Sequence, residues 1–168
     1  MDLNGIFVPN VTPFTGQGQI DFEKLGELVD FWLRSGVSGI VVNASTGEAP
    51  LLSPEERIDL IRYVKDRLRG RGSLIAGTGA IGTRETIDLT RDAEEAGAEA
   101  ALVLPPFFIK PSDMEVYQHF TSLAASVDFP LIFYNVPKFT GYGVPPMVVN
   151  KIADEHSNLV GIKDSSGS

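Results

Sequence analysis

Apolar residues follow two alternating patterns along the chain. Short continuous apolar runs, bounded by glycine, proline or polar residues, are typical of buried β-strands. Between them, longer stretches place apolar residues three and four positions apart, which predicts amphipathic helices. The predicted strands lie at residues 5–11, 39–42, 74–76, 100–104, 131–134 and 159–162. The five predicted helices begin near Asp21, Ser53, Thr83, Ser112 and Pro145, and Glu56 and Glu115 complete predicted capping boxes with Ser53 and Ser112.

The alternation of continuous apolar strands with amphipathic helices predicts parallel strands covered by helices. The chain has 168 residues, which gives about 28 residues per β/α unit, and no linker interrupts it. We therefore expect one domain over residues 1–168. Two folds have this alternation of strands and helices. One is a doubly wound parallel sheet, which would be complete at this length, and the other is a (β/α)8 TIM barrel, which normally needs about 250 residues. Length alone favours the doubly wound sheet.

Composition and charge restrict the class of protein. Hydrophobic residues make up 43% of the chain and charged residues 21%, as in ordinary soluble globular domains. The formal net charge of −8 argues against nucleic acid or an anionic membrane as a partner. No apolar run is long enough to span a membrane, and residues 1–4 lack the basic start of a secretory signal. We therefore expect a cytoplasmic protein.

The chain has no cysteine that could form a disulfide, a metal site or a redox centre. Its two histidines, His119 and His156, have no metal-ligand spacing, and we expect both at the surface or at the edge of the core. No metal ion is therefore expected. An anionic substrate would have to be bound by local donors, because the overall field repels anions.

A glycine-rich segment, G-T-G-A-I-G at residues 77–82, matches the G-x-G-x-x-G pattern between a predicted strand and a predicted helix. A dinucleotide site also needs an acidic residue at the end of the next strand, but that strand ends in V-L-P-P at residues 103–106. We therefore interpret the glycines as a tight turn rather than as a nucleotide site.

Lys163 lies where the last predicted strand should end and a Ser/Gly loop should begin. The catalytic groups of parallel α/β folds lie at the carboxyl ends of the strands. Apolar surroundings at such a position would favour the neutral, nucleophilic amine, which can form a Schiff base with a carbonyl substrate. The alternative is a solvated lysine at the end of a strand.

Three other predicted strand ends carry candidate groups. Ser45, Thr46 and Gly47 follow the second strand, and their hydroxyl and N–H groups could converge on a carboxylate or form a plain turn. Tyr134 ends the fifth strand, where its phenol could relay a proton or lie half-buried with the hydroxyl in solvent. Phe108, after the fourth strand, could line a pocket or an oligomer contact, or pack on its own loop.

Four short motifs thus follow different strands at one predicted face: S-T-G-E at 45–48, P-F-F at 106–108, Y-N-V-P at 134–137 and G-I-K-D at 161–164. Their order and spacing resemble those of the dihydrodipicolinate synthase/N-acetylneuraminate lyase family of pyruvate-handling enzymes. The resemblance covers essentially the whole chain. It implies an α/β fold, a (β/α)8 TIM barrel, of which this chain supplies about the first six β/α units.

The resemblance also implies a class I lyase or aldolase. Such an enzyme joins or cleaves an aldehyde and pyruvate, or another 2-oxo acid, without a metal ion or an organic cofactor. Lys163 would form the Schiff base, and Tyr134 would relay protons. Ser45 and Thr46, with the backbone at Gly47, would bind the substrate carboxylate, and Thr46 would also pass protons. A homotetramer is the expected assembly of the family.

Two positions depart from the synthase branch of this family. Phe108 stands where that branch usually has a tyrosine that reaches the neighbouring subunit. Phe139 stands where it usually has an arginine that binds the carboxylate of aspartate semialdehyde. The adjacent Lys138 is a point charge and cannot replace the bidentate guanidinium. We therefore regard Phe108, Lys138 and Phe139 as candidates for specificity or a subunit contact, and favour an aldolase-type relative over dihydrodipicolinate synthase itself.

The alternative to an enzyme is a truncated family member that has no catalytic activity and only folds or assembles. Six β/α units would leave a barrel open between its first and sixth strands, and both edges would expose unpaired backbone groups. We therefore expect that the chain is part of a longer polypeptide or that another chain covers its open side.

Overall fold

A computed structural model describes residues 3–167 of the chain. Met1, Asp2 and Ser168, which belong to the predicted domain 1–168, lie outside the described residues.

Residue contacts divide the chain into two compact units. The first contains the residues up to Gly77 together with Asp92–Glu99, and the second contains Thr78–Arg91 together with the residues from Ala100 onward. The expectation of a single domain stays a prediction.

The first unit contains three strands, two long helices and two 3-10 turns. Its elements are β1 (Phe7–Pro9), α1 (Phe22–Arg34), β2 (Gly39–Val42), the 3-10 turns Ser45–Gly47 and Ala49–Leu51, α2 (Pro54–Leu68) and β3 (Ser73–Gly77). The predicted capping box opens α2, since the Ser53 hydroxyl accepts from the Glu56 N–H and the Glu56 carboxylate accepts from the Ser53 N–H. The core combines Leu25 and Val29 of α1 with Leu60 of α2, all of which are fully buried.

The second unit contains three strands and three helices, and it shares the helix α3 with the first. Its elements are α3 (Thr83–Glu95), β4 (Ala100–Val103), α4 (Asp113–Ser126), β5 (Leu131–Asn135), the one-turn helix α5 (Pro137–Thr140), α6 (Pro146–Glu155) and β6 (Leu159–Asp164). The Phe120 ring of α4 stacks on the Phe133 ring of β5, with the centroids 4.3 Å apart, and both side chains are fully buried. Helix α4 also packs on α6.

All strand pairs within each unit are parallel, as the apolar pattern predicts. In the first unit β2 pairs with both β1 and β3, and in the second unit β5 pairs with both β4 and β6. Within the first unit the strand order is β1-β2-β3, and within the second it is β4-β5-β6, in both cases the same as the order along the chain. A doubly wound sheet would instead reverse its strand order at a switch point.

The pairing of β5 with β6 contains one irregularity. Leu131 pairs with Leu159, but the next pair is Ile132 with Gly161, so Val160 is an extra residue in β6. The register then continues without interruption to the pair Tyr134–Lys163.

The turn at residues 77–82 joins β3 to α3, which confirms its interpretation as a tight strand-to-helix turn. A Cβ atom at Gly77 would lie 2.0 Å from the Asn43 carbonyl oxygen, and one at Gly79 would lie 2.8 Å from the backbone N and O of Leu104. Gly77 and Gly79 are therefore required by close backbone approach. The Thr86 hydroxyl of α3 accepts from the Ala80 N–H and holds the end of the turn.

Three expectations from the sequence were wrong in detail. Strand β6 was expected to be buried, but Val160 is 45% exposed and Ile162 is 53% exposed. His119 lies within the core, not at the surface or at its edge, and burial lowers the pKa of its imidazole to about 4. The segment after β5, which has the composition of a loop, contains the helix α5.

Candidate active site

Tyr134 and Lys163 lie side by side near the carboxyl ends of two neighbouring parallel strands. They form a register pair between β5 and β6, so their side chains project from the same face of the sheet. The Lys163 Nζ lies 4.1 Å from the centroid of the Tyr134 ring, within the range of a cation–π contact. Tyr134 is buried, whereas Lys163 is half-buried. The structure therefore brings the predicted imine-forming amine and the predicted proton relay together.

The next register pair, Asn135 and Asp164, fixes the ends of the same two strands. The Asn135 amide Nδ2 donates to the Asp164 carboxylate at 2.7 Å, and the Asn135 backbone carbonyl accepts from the Ser165 N–H at 2.8 Å. The Ser166 hydroxyl donates to the other Asp164 oxygen at 2.7 Å. Hydrogen bonds from Ser166 and Asn135 lower the pKa of Asp164 below its ordinary value. The polar links beyond Tyr134 and Lys163 thus join the two strand ends.

Ser45, Thr46 and Gly47 form a single 3-10 turn after β2 in the first unit. The side chains of Ser45 and Thr46 are exposed, whereas Gly47 is buried. Within the part of the chain that the structure describes, the backbone N–H groups of Ser45 and Thr46 have no hydrogen-bond partner. Hydroxyl and N–H groups in this arrangement can bind a carboxylate.

Two buried polar residues just after β1, which were not among the predicted site residues, hold this turn. The Thr12 hydroxyl donates to the Gly47 carbonyl oxygen at 2.7 Å, and Thr12 is 5% exposed. A Cβ atom at Gly47 would lie 2.9 Å from the Asn10 Oδ1, so only glycine fits there without displacement. Nothing in the sequence around Thr12 identifies Gly47 as its partner.

Phe108, Lys138 and Phe139 lie in the segments that follow β4 and β5. Phe108 is 89% exposed and has a φ of 70°, which is unusual for a bulky residue. Phe139 is 54% exposed, and the Lys138 Nζ lies 5.6 Å from the centroid of its ring. Aromatic and cationic groups are therefore available in the segments that follow these two strands.

Tyr142, which was not among the predicted site residues, joins these two segments. The Tyr142 hydroxyl donates to the Pro106 carbonyl oxygen at 2.5 Å. Burial raises the pKa of Tyr142 to about 12, so this phenol remains a donor at neutral pH.

Residues 3–167 contain neither a cluster of metal-binding side chains nor a helix that could span a membrane. These residues contain no group of three or more His, Asp or Glu side chains that could hold a metal ion. None of the helices in this range has both the length and the apolar character needed to cross a membrane.

Comparison with known proteins agrees with the resemblance seen in the motifs. Residues 2–168 match the model of the Dihydrodipicolinate synthetase family. The chain belongs to this family. The 4-hydroxy-tetrahydrodipicolinate synthase of Bacillus subtilis (strain 168) is 40% identical over 167 residues, which are 99% of this chain and 58% of that protein.

Solved structures of the family show the same fold. The crystal structure of dihydrodipicolinate synthase from Aquifex aeolicus matches with a TM-score of 0.93 at 39% identity, over 98% of this chain and 56% of that one. A prophage protein of the dihydrodipicolinic acid synthase family from E. coli K12, in complex with pyruvate, matches with a TM-score of 0.92 at 37% identity, over 96% of this chain and 54% of that one.

The fold class is thereby decided. The likeness to family structures extends over nearly the whole chain, so the α/β barrel prediction is confirmed, with this chain as a part of the TIM barrel. The doubly wound alternative is wrong, in agreement with the strand order. The chain spans a little over half the length of the relatives that it matches.

Proposed function

We propose that the complete protein is a class I lyase or aldolase that joins or cleaves pyruvate and an aldehyde through an imine on Lys163. The observation that carries the proposal is the register pair Tyr134–Lys163, with the amine 4.1 Å from the phenol ring. Membership of the family supports it. The site would need no metal ion and no organic cofactor.

The proposed chemistry assigns a step to each group. The Lys163 amine adds to the keto carbon of pyruvate, and loss of water from the carbinolamine gives a protonated imine. This imine accepts the electron pair left when a proton is removed from the methyl carbon, and the resulting enamine attacks the aldehyde carbon. Tyr134 and Thr46 would pass protons in these steps. Hydrolysis of the product imine restores the amine.

The 3-10 turn would bind the pyruvate carboxylate. Ser45 and Thr46 offer exposed hydroxyls, and the backbone of the turn through Gly47 offers N–H groups. Such dipoles bind a carboxylate without a net positive charge, which suits an acidic protein.

The segments after β4 and β5 bear on the class of aldehyde. The exposed rings of Phe108 and Phe139, with the single ammonium of Lys138, favour a neutral or hydroxylated aldehyde over aspartate semialdehyde. Dihydrodipicolinate synthase activity itself is the second candidate, favoured by the names of relatives about 40% identical to the chain. A truncated, non-catalytic family member is the third.

The remaining expectations from the sequence form part of the proposal. They are a domain that includes residues 1–168 as the N-terminal portion of a barrel, a homo-oligomer of four chains, and a cytoplasmic location. No nucleic acid and no membrane is expected as a partner, because the net charge is −8.

Imine trapping tests the proposed chemistry. Pyruvate and borohydride should add a reduced pyruvyl group to the peptide that contains Lys163, because borohydride reduces the imine to a stable amine. The Lys163→Ala variant should remain unlabelled. Labelling that persists in this variant would falsify the assignment of Lys163.

Competition between aldehydes tests the acceptor. With pyruvate as the partner, kcat/KM should be about tenfold higher for glyceraldehyde than for aspartate semialdehyde, since Phe139 cannot form a bidentate carboxylate contact. A clear preference for aspartate semialdehyde would restore the synthase as the function.

A further inference from the structure

The hydroxyl of Tyr142 links two segments that follow neighbouring strands. Tyr142 lies in the segment after β5, and its acceptor Pro106 lies in the segment after β4. Tyr142 is half-buried and Pro106 is buried, so the bond is shielded from competing water. In barrel folds, the segments that follow the carboxyl ends of strands build the active site.

The segment that carries Tyr142 is itself fixed by several hydrogen bonds. The Thr140 hydroxyl donates to the Tyr142 carbonyl oxygen at 2.7 Å, and the Val144 N–H donates to the Asn135 Oδ1 at 3.2 Å. Helix α5 contributes further backbone bonds, including that from the Gly141 N–H to the Pro137 carbonyl. Tyr142 is therefore presented from a rigid support.

The segment 105–110, which contains the acceptor Pro106, is held by far fewer hydrogen bonds. Within residues 3–167, no hydrogen bond other than that from Tyr142 reaches residues 105–110. The segment nevertheless includes Phe108 with its φ of 70°. A bulky residue keeps such a backbone conformation only where its surroundings impose it. The bond from Tyr142 holds the segment two residues before Phe108.

We propose that Tyr142 is a positioning residue for the aldehyde side of the site, and this inference rests on the proposed function. Tyr142 acts through Pro106 to fix the segment 107–110, so that this segment and α5 with Phe139 present a preformed surface to the acceptor aldehyde. Pyruvate, which is bound through Lys163 and the turn at residues 45–47, is not affected by this bond. Tyr142 thus sets acceptor discrimination and not imine formation.

The chain offers a matched control for removal of one tyrosine hydroxyl. The Tyr117 hydroxyl also donates at 2.5 Å, to the Glu155 carboxylate, and Tyr117 is also half-buried. Its bond joins α4 to α6 and reaches neither of the segments after β4 and β5. Tyr117→Phe therefore removes a tyrosine hydroxyl bond of the same length, here to an exposed carboxylate, without changing the link between the segments after β4 and β5.

The experiment compares Tyr142→Phe with Tyr117→Phe in the complete protein. Three quantities are measured: borohydride-trapped pyruvate at Lys163, kcat/KM for two acceptor aldehydes, and the rate of chymotryptic cleavage at Phe107 and Phe108. Tyr142→Phe should lower acceptor kcat/KM about three- to tenfold, as expected for one lost hydrogen bond, and should change the ratio between the two aldehydes. Cleavage at Phe107 and Phe108 should accelerate, because a less firmly held segment enters a protease site more readily, while imine yield stays within about twofold. Tyr117→Phe should change none of these.

The outcomes separate the two proposals. Unchanged acceptor kinetics or an unchanged cleavage rate in Tyr142→Phe would overturn the role of Tyr142, as would a parallel fall of imine yield and acceptor kcat/KM. Absence of trapped pyruvate in the unaltered protein would count against the proposed function instead. In that case the cleavage comparison still decides whether Tyr142 fixes residues 107–110.

Discussion

The two parts of the proposed site are held in place in different ways. Tyr134 and Lys163 belong to β5 and β6, where continuous strand pairing sets which side chains are neighbours. The turn Ser45–Gly47 belongs to no strand, and apart from its own local backbone bonds it is held by the hydroxyl of Thr12 and by close packing on Asn10. Backbone pairing is shared among many residues, whereas the turn relies on a few side chains. We therefore expect the strand pair to tolerate changes around it, and the turn to be sensitive to single substitutions outside it.

The largest effect should come from the chemistry of the strand pair. Tyr134→Phe keeps the ring over Lys163 but removes the phenolic proton, so turnover should fall roughly 10²- to 10⁴-fold. Pyruvate affinity should change little, because the carboxylate contacts are elsewhere. Steady-state kinetics and borohydride trapping of the variant measure the two quantities. Normal turnover would mean that Tyr134 has only a structural role.

A methyl group introduced at Gly47 should distort the turn Ser45–Gly47. In Gly47→Ala the new Cβ would meet the Asn10 Oδ1 at 2.9 Å and the Asn10 backbone oxygen at 3.3 Å. Overpacking of this kind costs roughly 1–3 kcal/mol, which would correspond to about a 5- to 160-fold loss in kcat/KM for pyruvate. Gly16→Ala is a suitable control, since nothing lies within 4 Å of its Cβ position. Equal kinetics for the two variants would show that the turn is not held tightly.

The smallest effect should come from the bond that supports the turn from a distance. Thr12→Val removes the hydroxyl that donates to Gly47 but keeps the shape of the side chain. One net hydrogen bond contributes about 1 kcal/mol, so we expect roughly a fivefold rise in KM for pyruvate with little change in kcat. Thr12→Ser should restore the KM. If Thr12→Ser behaves like Thr12→Val, the methyl group and not the hydroxyl positions the turn.

The same contrast explains how much the sequence could predict. Continuous apolar strands and capping boxes gave the element order, because these signals are local. The pairing of Tyr134 with Lys163 followed from their places at the ends of neighbouring strands, once the four motifs were considered together. The G-x-G-x-x-G turn could also be separated from a nucleotide site, because the acidic residue that such a site needs is absent from the next strand.

Other features could not be predicted because they depend on contacts between distant residues. Thr12 meets Gly47 across 35 positions, and Tyr142 meets Pro106 across 36 positions. A hydroxyl in a sequence does not reveal which carbonyl it will reach. The exposure of Val160 and Ile162 was missed for a similar reason, since an apolar run does not reveal whether both faces of its strand are covered.

The extra residue Val160 has a consequence for how the lysine motif is compared among relatives. If β6 continued from the Leu131–Leu159 pair without an interruption, Ile162 would stand opposite Tyr134, and Lys163 would stand opposite Asn135. The one extra residue in β6 therefore determines which of its side chains stand opposite Tyr134 and Asn135. A relative that carries the same motif with one residue more or fewer before it keeps the tyrosine opposite the lysine only if its strand gains or loses such a spacer. Segment length ahead of the lysine thus carries functional information that residue identity alone does not.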